Sequence, residues 1–483
     1  MPTAKLVIHD EVNVQFKGLD PETLSACQEE LTFFVPGYVH MANVRLGWWD
    51  GRIRLLHQSG FTQFNLVEYL DPILIHGGYD IEIEDRRTWT DTISEKLEYI
   101  DDTYLRAYND RDGNPITLWK HQVKGVNLAI QRGQGVLELA TGSGKTIICG
   151  IMAKIWSEHG NVVIIVPNID LVIQTQHEFQ KRVGVDCGIW YGERKERKQI
   201  TIATWQSLDH FPELFNDVIC VIVDEVHQAK AKVLSEMLSG PAKNVPFRFG
   251  CTGTLPKEDL FRKQIEGTIG KHIYIVRSKY LQDLGVLAEA TIYQMKLGDS
   301  KNIKWQRSAP YHELWKDELD WMFGDSERLA YKAITIEEIA EEFGNTLVLV
   351  QYRDHGKKLA SLLPDAVSLD GRNKDRTEYY KAFNDGDNNI LICTYGIAST
   401  GIDIPRIFNL IIIEPGKKFE KVMQTLGRGF RKAADKSHIN VFDICGDSGL
   451  SKKHAARRRT LYREAQQTLH TIDVEYSNAD SNG

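Results

Sequence analysis

Residues Val136 to Thr146 read VLELATGSGKT. An apolar strand from Val136 to Ala140 runs into a glycine-rich turn, and apolar residues at Ile147, Ile148, Ile151 and Met152 predict a helix behind it. Strand, turn and helix in this order form a loop for phosphate. Gly142 and Gly144 let backbone N–H groups of the Thr141 to Thr146 stretch close around phosphate oxygens. Lys145 reaches the β and γ phosphates, Thr146 offers a hydroxyl to Mg²⁺, and the helix N-terminus faces the same anion. The strict pattern begins with a glycine, where this chain has Leu139.

Composition bounds the rest. A chain of 483 residues has room for about three domains, and 42% hydrophobic with 26% charged residues suits a soluble globular protein. Seven scattered cysteines with no C-x-x-C pair argue for free thiols in a reducing compartment and against zinc. No apolar run reaches the roughly 18 residues of a membrane span, and the N-terminus lacks a signal-peptide core, so a cytoplasmic location is expected. The net charge of −7 leaves nucleic acid open, since phosphate binding depends on a local basic surface. One basic cluster gathers Lys452, Lys453, Arg457, Arg458, Arg459 and Arg463; it reads equally as a phosphate contact or a solvated helix face.

Four segments are expected: a small α+β N-terminal domain (1–105), a nucleotide-binding α/β domain (106–280), a second α/β domain (281–450), and a basic helical segment with a disordered tail (451–483). In the first, a strand from Lys5 to Phe16 precedes a helix opened by Asp20-Pro21-Glu22. Asp50-Gly51 between apolar runs predicts a tight hairpin that sets Trp49 opposite Arg52 and puts Arg52 and Arg54 on one face. Trp48, Trp49, Arg52 and Arg54 then suit stacking and phosphate contact, or else the tryptophans divide between core and surface.

Within the nucleotide-binding domain, a helix over Thr117 to Ile130 carries Gln122 just ahead of the loop, where an amide could read an adenine edge. Short Val/Ile runs alternating with helical patterns predict a parallel sheet. The run Val218 to Val223 ends in Asp224-Glu225-Val226-His227: Asp224 suits the Mg²⁺ shell, and Glu225 suits activation of the attacking water. Thr252 and Thr254 end another strand. The second half has no phosphate loop, but Arg428 and Arg431 share a helix face from which they could reach a γ-phosphate.

In order and spacing these segments resemble the motif set of superfamily 2 helicases of the DExH type, from about Leu118 to Arg431. The likeness implies two tandem RecA-like domains with parallel sheets, binding ATP and Mg²⁺ in their cleft and nucleic acid across the top. It gives nucleic-acid contacts to Pro167, Gln174, Thr204, Gln206, Thr394 and Ser399, nucleotide contacts to Gly401 and Asp403, and coupling of the halves to His227 and Gln424. The run Trp49 to Leu56 (WDGRIRLL) and the Thr-Gly-Thr at 252–254 further resemble phage helicases of recombination, repair and replication. That group acts on branched DNA: forks, four-way junctions, D-loops and R-loops, which include RNA–DNA hybrids. A monomer in the host cytoplasm, off the membrane and meeting recombination or replication proteins, is expected. An RNA helicase of the DExH type and the duplex-translocating subunit of a restriction complex remain alternatives.

Overall fold

A computed structural model describes residues 2–89, 91–110, 113–208, 211–227, 231–298, 310–370, 373, 376–399, 404, 406–416 and 438–475. The chain forms two compact units, Met1–Val276 and Arg277–Gly483.

In the first unit, β1 (Thr3–Ile8) and β2 (Asn13–Lys17) pair as an antiparallel hairpin. The single strand expected over Lys5 to Phe16 is broken because the Asp10 carboxylate accepts the N–H groups of Val12 (2.9 Å) and Asn13 (2.7 Å) and turns the chain. The helix Pro21–Glu30 follows, capped by Asp20. Then come β3 (Thr32–Phe34), β4 (Arg52–Arg54), β5 (Phe61–Gln63) and β6 (Asp80–Asp85). A four-stranded sheet of order β5-β2-β1-β6 carries the helices on a core that includes Leu6, Phe16, Leu31 and Leu74.

This layer is seated on the nucleotide-binding half. The Tyr69 hydroxyl donates to Glu266 (2.9 Å), and the Asn13 amide donates to the Ser239 carbonyl (2.9 Å). Lys263 lies 3.1 Å from the centre of the Tyr69 ring. The chain then passes to the helix Lys120–Arg132, where the Asn127 carboxamide pairs with both the N–H and the C=O of Ile100 at 2.9 Å.

The main sheet of this unit comprises β7 (Gln134–Leu139), β8 (Asn161–Val166), β9 (Cys187–Tyr191), β10 (Arg194–Lys195), β11 (Ile200–Thr204), β12 (Val218–Asp224), β13 (Phe247–Thr252) and β14 (His272–Val276). Among the described residues its order is β10-β9-β11-β8-β12-β13-β7-β14, parallel throughout except for β9 with β10. Its central strands are buried on both faces, which explains their unbroken apolar runs such as NVVIIV in β8. Arg248 on β13 is fully buried, and its guanidinium donates to the carbonyls of Leu238, Ala242, Val245 and Thr268. It ties the following helix, Asp259–Ile269, to the segment ahead of β13.

The second unit is built on β15 (Glu289–Leu297), β16 (Thr346–Val350), β17 (Ala366–Leu369), β18 (Ile390–Thr394), β19 (Asn409–Ile413), β20 (His438–Gly446) and β21 (Thr468–Val474). Every pair is parallel, in the order β17-β18-β16-β19-β20-β15-β21. The helical stretch from Tyr311 is two helices, Tyr311–Met322 and Ser326–Phe343, the second started by Asp325, whose side chain accepts the Arg328 N–H. Residues from 451 do not stand apart, as the sequence suggested. The helix Gly449–Glu464 packs on β20, and β21 joins the sheet in parallel register beside β15, a neighbour far away in sequence. The expected tail from Ser477 lies outside the described residues. Among the described residues, no helix is long and apolar enough to cross a membrane.

Candidate active site and nucleic-acid surface

Parallel strands bring their carboxyl ends to one edge, and the sheet order places β13 between the strand that feeds the loop and the strand that ends in Asp224. In register, Asp224 lies beside Cys251, and Thr252 beside Glu138. Residues from three separate segments therefore meet at one place.

The loop is held open by its glycines and braced from behind. Gly142 and Gly144 have φ of 88° and 80°, in the left-handed region. A Cβ on Gly144 would collide with the Gln122 amide. The Ser143 carbonyl accepts from His121 Nε2 (2.8 Å) and Gln122 Nε2 (3.1 Å), while Gln122 Oε1 accepts the Trp119 N–H (2.9 Å). Gln122, expected at an adenine edge, is 4% exposed, and both ends of its carboxamide are engaged with the chain itself. His121 escaped the sequence reading. Only its place directly before Gln122 hinted at it; burial pushes its imidazole below the usual histidine range, against the Ser143 hydrogen bond.

Lys145 Nζ lies 2.9 Å from Asp224 Oδ1 and also contacts Glu225. Burial alone pushes the ammonium down, but the two carboxylates outweigh it and hold Lys145 above the ordinary lysine range. Burial raises Asp224, with Lys145 opposing. Glu225 has φ of 49°, an uncommon backbone for a residue with a side chain, right at the end of β12. Strain of this kind is kept where the residue must present its carboxylate in a fixed direction.

His227 Nδ1 stands 2.7 Å from the Thr252 hydroxyl and 3.4 Å from Glu225. Thr252 donates in turn to the Thr254 carbonyl (2.9 Å). Behind them the thiols of Cys149, on the loop helix, and Cys251 touch at 3.3 Å, and all seven cysteines are free and buried.

The set fits Mg²⁺ with ATP. Thr146 and Asp224 supply hard oxygen donors beside the phosphate cradle, and a site completed by phosphates and water needs no protein cage.

The surface contacts divide. Pro167 is half-buried and Gln206 exposed, each just past a strand end on the same edge, while Gln174 is exposed within the helix Ile169–Arg182 that follows β8. Thr204 is a correction: it is 4% exposed and its hydroxyl bonds to Ser207, so it does not face solvent. In the second unit Thr394 ends β18 in register with Val350 of β16. Ser399 closes the helix Tyr395–Ser399, but its side chain lies outside the described residues, as do Gly401, Asp403, Gln424, Arg428 and Arg431.

The expected Asp50-Gly51 hairpin does not form. Here β4 pairs with β3, and residues Ala42–Arg45 are a helical turn. The Asp50 carboxylate accepts the Arg52 N–H (3.0 Å) and pairs with Arg54 (2.6 Å), which favours an open turn over the two-residue one. Trp48 is 77% exposed, whereas the Trp49 ring N–H donates to the Arg52 carbonyl (3.1 Å). Arg52 sits over Phe34, 4.7 Å from its ring centre, and Phe34 stacks on Tyr38. Aromatic rings and arginines do meet on one surface, through β3 rather than through a hairpin.

A model of the type III restriction enzyme res subunit matches residues 106–257, and a model of the helicase conserved C-terminal domain matches 331–433. With the phosphate loop and the Asp224-Glu225-Val226-His227 strand end, these place the chain in superfamily 2 of the helicases, ATP-hydrolysing enzymes with two RecA-like halves. Over nearly its whole length it is similar to the ATP-dependent DNA helicase uvsW of Enterobacteria phage T4, 25% identical over 489 residues, covering 97% of this chain and 96% of the relative. The DNA 3'-5' translocase XPB2 of Sulfurisphaera tokodaii is 26% identical over 384 residues, 71% of this chain and 84% of the relative. A solved fragment of a putative HsdR subunit of a type I restriction enzyme from Vibrio vulnificus shares the fold, with TM-score 0.54 and 17% identity over 78% of this chain and 71% of that one.

Proposed function

We propose that this protein is an ATP-dependent DNA helicase that acts on branched DNA (forks, four-way junctions, D-loops and R-loops) during phage recombination, repair and replication. The observation that supports this reading best is the cluster of Lys145, Asp224, Glu225, His227 and Thr252, a hydrolytic centre with a built-in link to the next strand, in a chain that parallels a phage DNA helicase from end to end.

In this reading Lys145 and the loop amides bind the ATP phosphates, and Thr146 and Asp224 hold Mg²⁺, which neutralises charge on those phosphates. Glu225 orients and deprotonates the attacking water. Arg428 and Arg431 stabilise charge on the transferring phosphoryl group, with Gly401 and Asp403 near the nucleotide and Gln424 in the coupling. Pro167, Gln174, Gln206, Thr394 and Ser399 meet the DNA backbone, so binding is sensitive to salt and indifferent to base order. Trp48, with Phe34 and Tyr38, offers stacking surface for bases at a branch, and Arg52 and Arg54 offer charge. The stretch Leu31 to Val67 holds three arginines and a single acidic residue, Asp50, within a chain of net charge −7, which favours an anionic partner there. The protein works as a monomer in the host cytoplasm.

Fork binding tests the branch contact. Trp48→Ala combined with Arg52→Ala should weaken fork affinity by about 10-fold or more at moderate salt. Affinity for the fork equal to that of the parent would remove the N-terminal domain from substrate choice. A second reading, a duplex translocase that does not separate strands, is favoured by the likeness to the translocase relative and to the restriction-subunit model. DNA-dependent ATP hydrolysis without strand separation would select it.

A further inference from the structure

The basic cluster near the end of the chain is sorted by the fold into two sets with different fates. Along the helix Gly449–Glu464, Ser451, His454, Ala455, Arg458 and Tyr462 are buried. Arg458 is 1% exposed and grips Asp443 through two bonds of 2.9 and 2.8 Å, and the Tyr462 hydroxyl donates to the same carboxylate (3.2 Å). Arg459 is half-buried and donates to Gln294 (2.9 Å). At the helix start the Glu318 carboxylate accepts the N–H groups of Leu450 (2.8 Å) and Ser451 (2.7 Å). Gly449 has φ of 57°, and a Cβ there would strike Glu318. The helix is thus fixed at its start and along its inner side, in rotation as well as position.

That rotation decides what faces outward. Lys452, Lys453, Arg457 and Arg463 are all exposed, with Ala456, Thr460 and Glu464 between them. At 3.6 residues per turn these seven positions fall on one face, and from Lys452 to Arg463 they extend about 16 Å along the axis. We infer that this face is a second nucleic-acid contact, a stripe that tracks the phosphate backbone of a duplex, distinct from the strand-end surface of the motifs.

Three features favour a polyanion over other partners. Four long cationic side chains oppose one carboxylate, in a protein that is acidic as a whole. The outward face carries no large apolar residue, so it lacks both the row that an interfacial helix sinks into a lipid surface and the aromatic anchors of a protein hot spot. Its length matches a run of about five phosphates at the axial spacing of one strand. Cations on long stems suit a ligand whose charges repeat, and they carry no base information.

The inference rests on the proposed action on DNA, and one experiment separates the two. The full-length chain with Lys452→Ala, Lys453→Ala, Arg457→Ala and Arg463→Ala is compared with its parent for binding to two duplexes of unrelated sequence, from about 50 to 200 mM salt. The stripe predicts a weaker affinity, by about 10-fold or more and equally for both sequences, and a salt dependence shallower by about two to four units of log K per log salt. Melting temperature and ATP hydrolysis without DNA should not change. An unchanged salt slope with intact parental binding overturns the stripe and leaves the helicase reading standing. Failure of the parent itself to bind either duplex defeats both. A weaker affinity for only one sequence also counts against the stripe, since backbone contacts cannot discriminate.

Discussion

His227 Nδ1 and the Thr252 hydroxyl lie 2.7 Å apart, joining the end of β12 to the end of β13. With its own hydrogen on the Thr254 carbonyl, the Thr252 oxygen is left to accept from His227 when Nδ1 carries a proton. His227, two residues past Glu225, is in this way bonded to the segment that leads out of the next strand. Thr252→Val keeps the shape and removes the acceptor. It should leave ATP hydrolysis within about 3-fold of the parent while strand separation falls by about 10-fold or more. Parallel losses in both activities, measured on one preparation, would show that the bond serves the chemistry and not its coupling.

Lys145→Ala should abolish turnover and retain DNA binding, since Lys145 belongs to the phosphate cradle and not to the strand-end surface. Steady-state hydrolysis with fork affinity in parallel reports it; normal turnover would remove the loop from the mechanism.

Burial raises Asp224 and Lys145 opposes that rise, so a charged carboxylate at this place is a burden on the fold. Asp224→Asn is expected to lower turnover by more than about 100-fold while melting no lower than the parent. A melting temperature several degrees below the parent would mean that the pairing with Lys145 outweighs desolvation.

Much of this centre is legible in the sequence, because phosphate and metal chemistry demand fixed residue types at fixed distances from strand ends. Gly144-Lys145-Thr146 and Asp224-Glu225 lie where that rule puts them. The N-terminal surface is less legible. Asp50-Gly51 signals a hairpin locally, but the Asp50 carboxylate bonds to the Arg52 N–H and β4 finds its partner in β3, some twenty residues upstream. Asp10 hides a turn inside what reads as one strand. Arg458 looks like its cationic neighbours until Asp443, on a different element, claims it. Each miss is a side-chain bond or a strand pairing between segments that periodicity cannot connect.

Arg248 makes a prediction about stability alone. Its four carbonyl partners cannot reach water once the side chain is gone, and burial already lowers its guanidinium to about 10. Arg248→Met should destabilise the protein by about 3 kcal/mol or more, read from denaturant unfolding. A loss below about 1 kcal/mol would mean that the carbonyls find other donors.

His121 and His355 set an acid limit. Burial lowers both, in His355 against the nearby Asp320 carboxylate and with help from Lys332 and Lys358. The unfolded chain binds these protons near pH 6.5 and the folded chain only at lower pH, so their contribution to stability declines as pH falls below about 6.5. Melting temperature should drop between about pH 7.5 and 5.5, and His121→Asn with His355→Asn should flatten that drop. An unchanged slope would assign the acid sensitivity to other groups.

Strand separation bears most directly on the central claim. Labelled fork, four-way junction, R-loop and blunt duplex would be incubated with ATP and Mg²⁺, with Lys145→Ala as control. The account predicts ATP-dependent separation of the branched substrates, little on blunt duplex, and none with the control. Hydrolysis stimulated by DNA while every substrate stays intact, or separation that favours the blunt duplex, would contradict it.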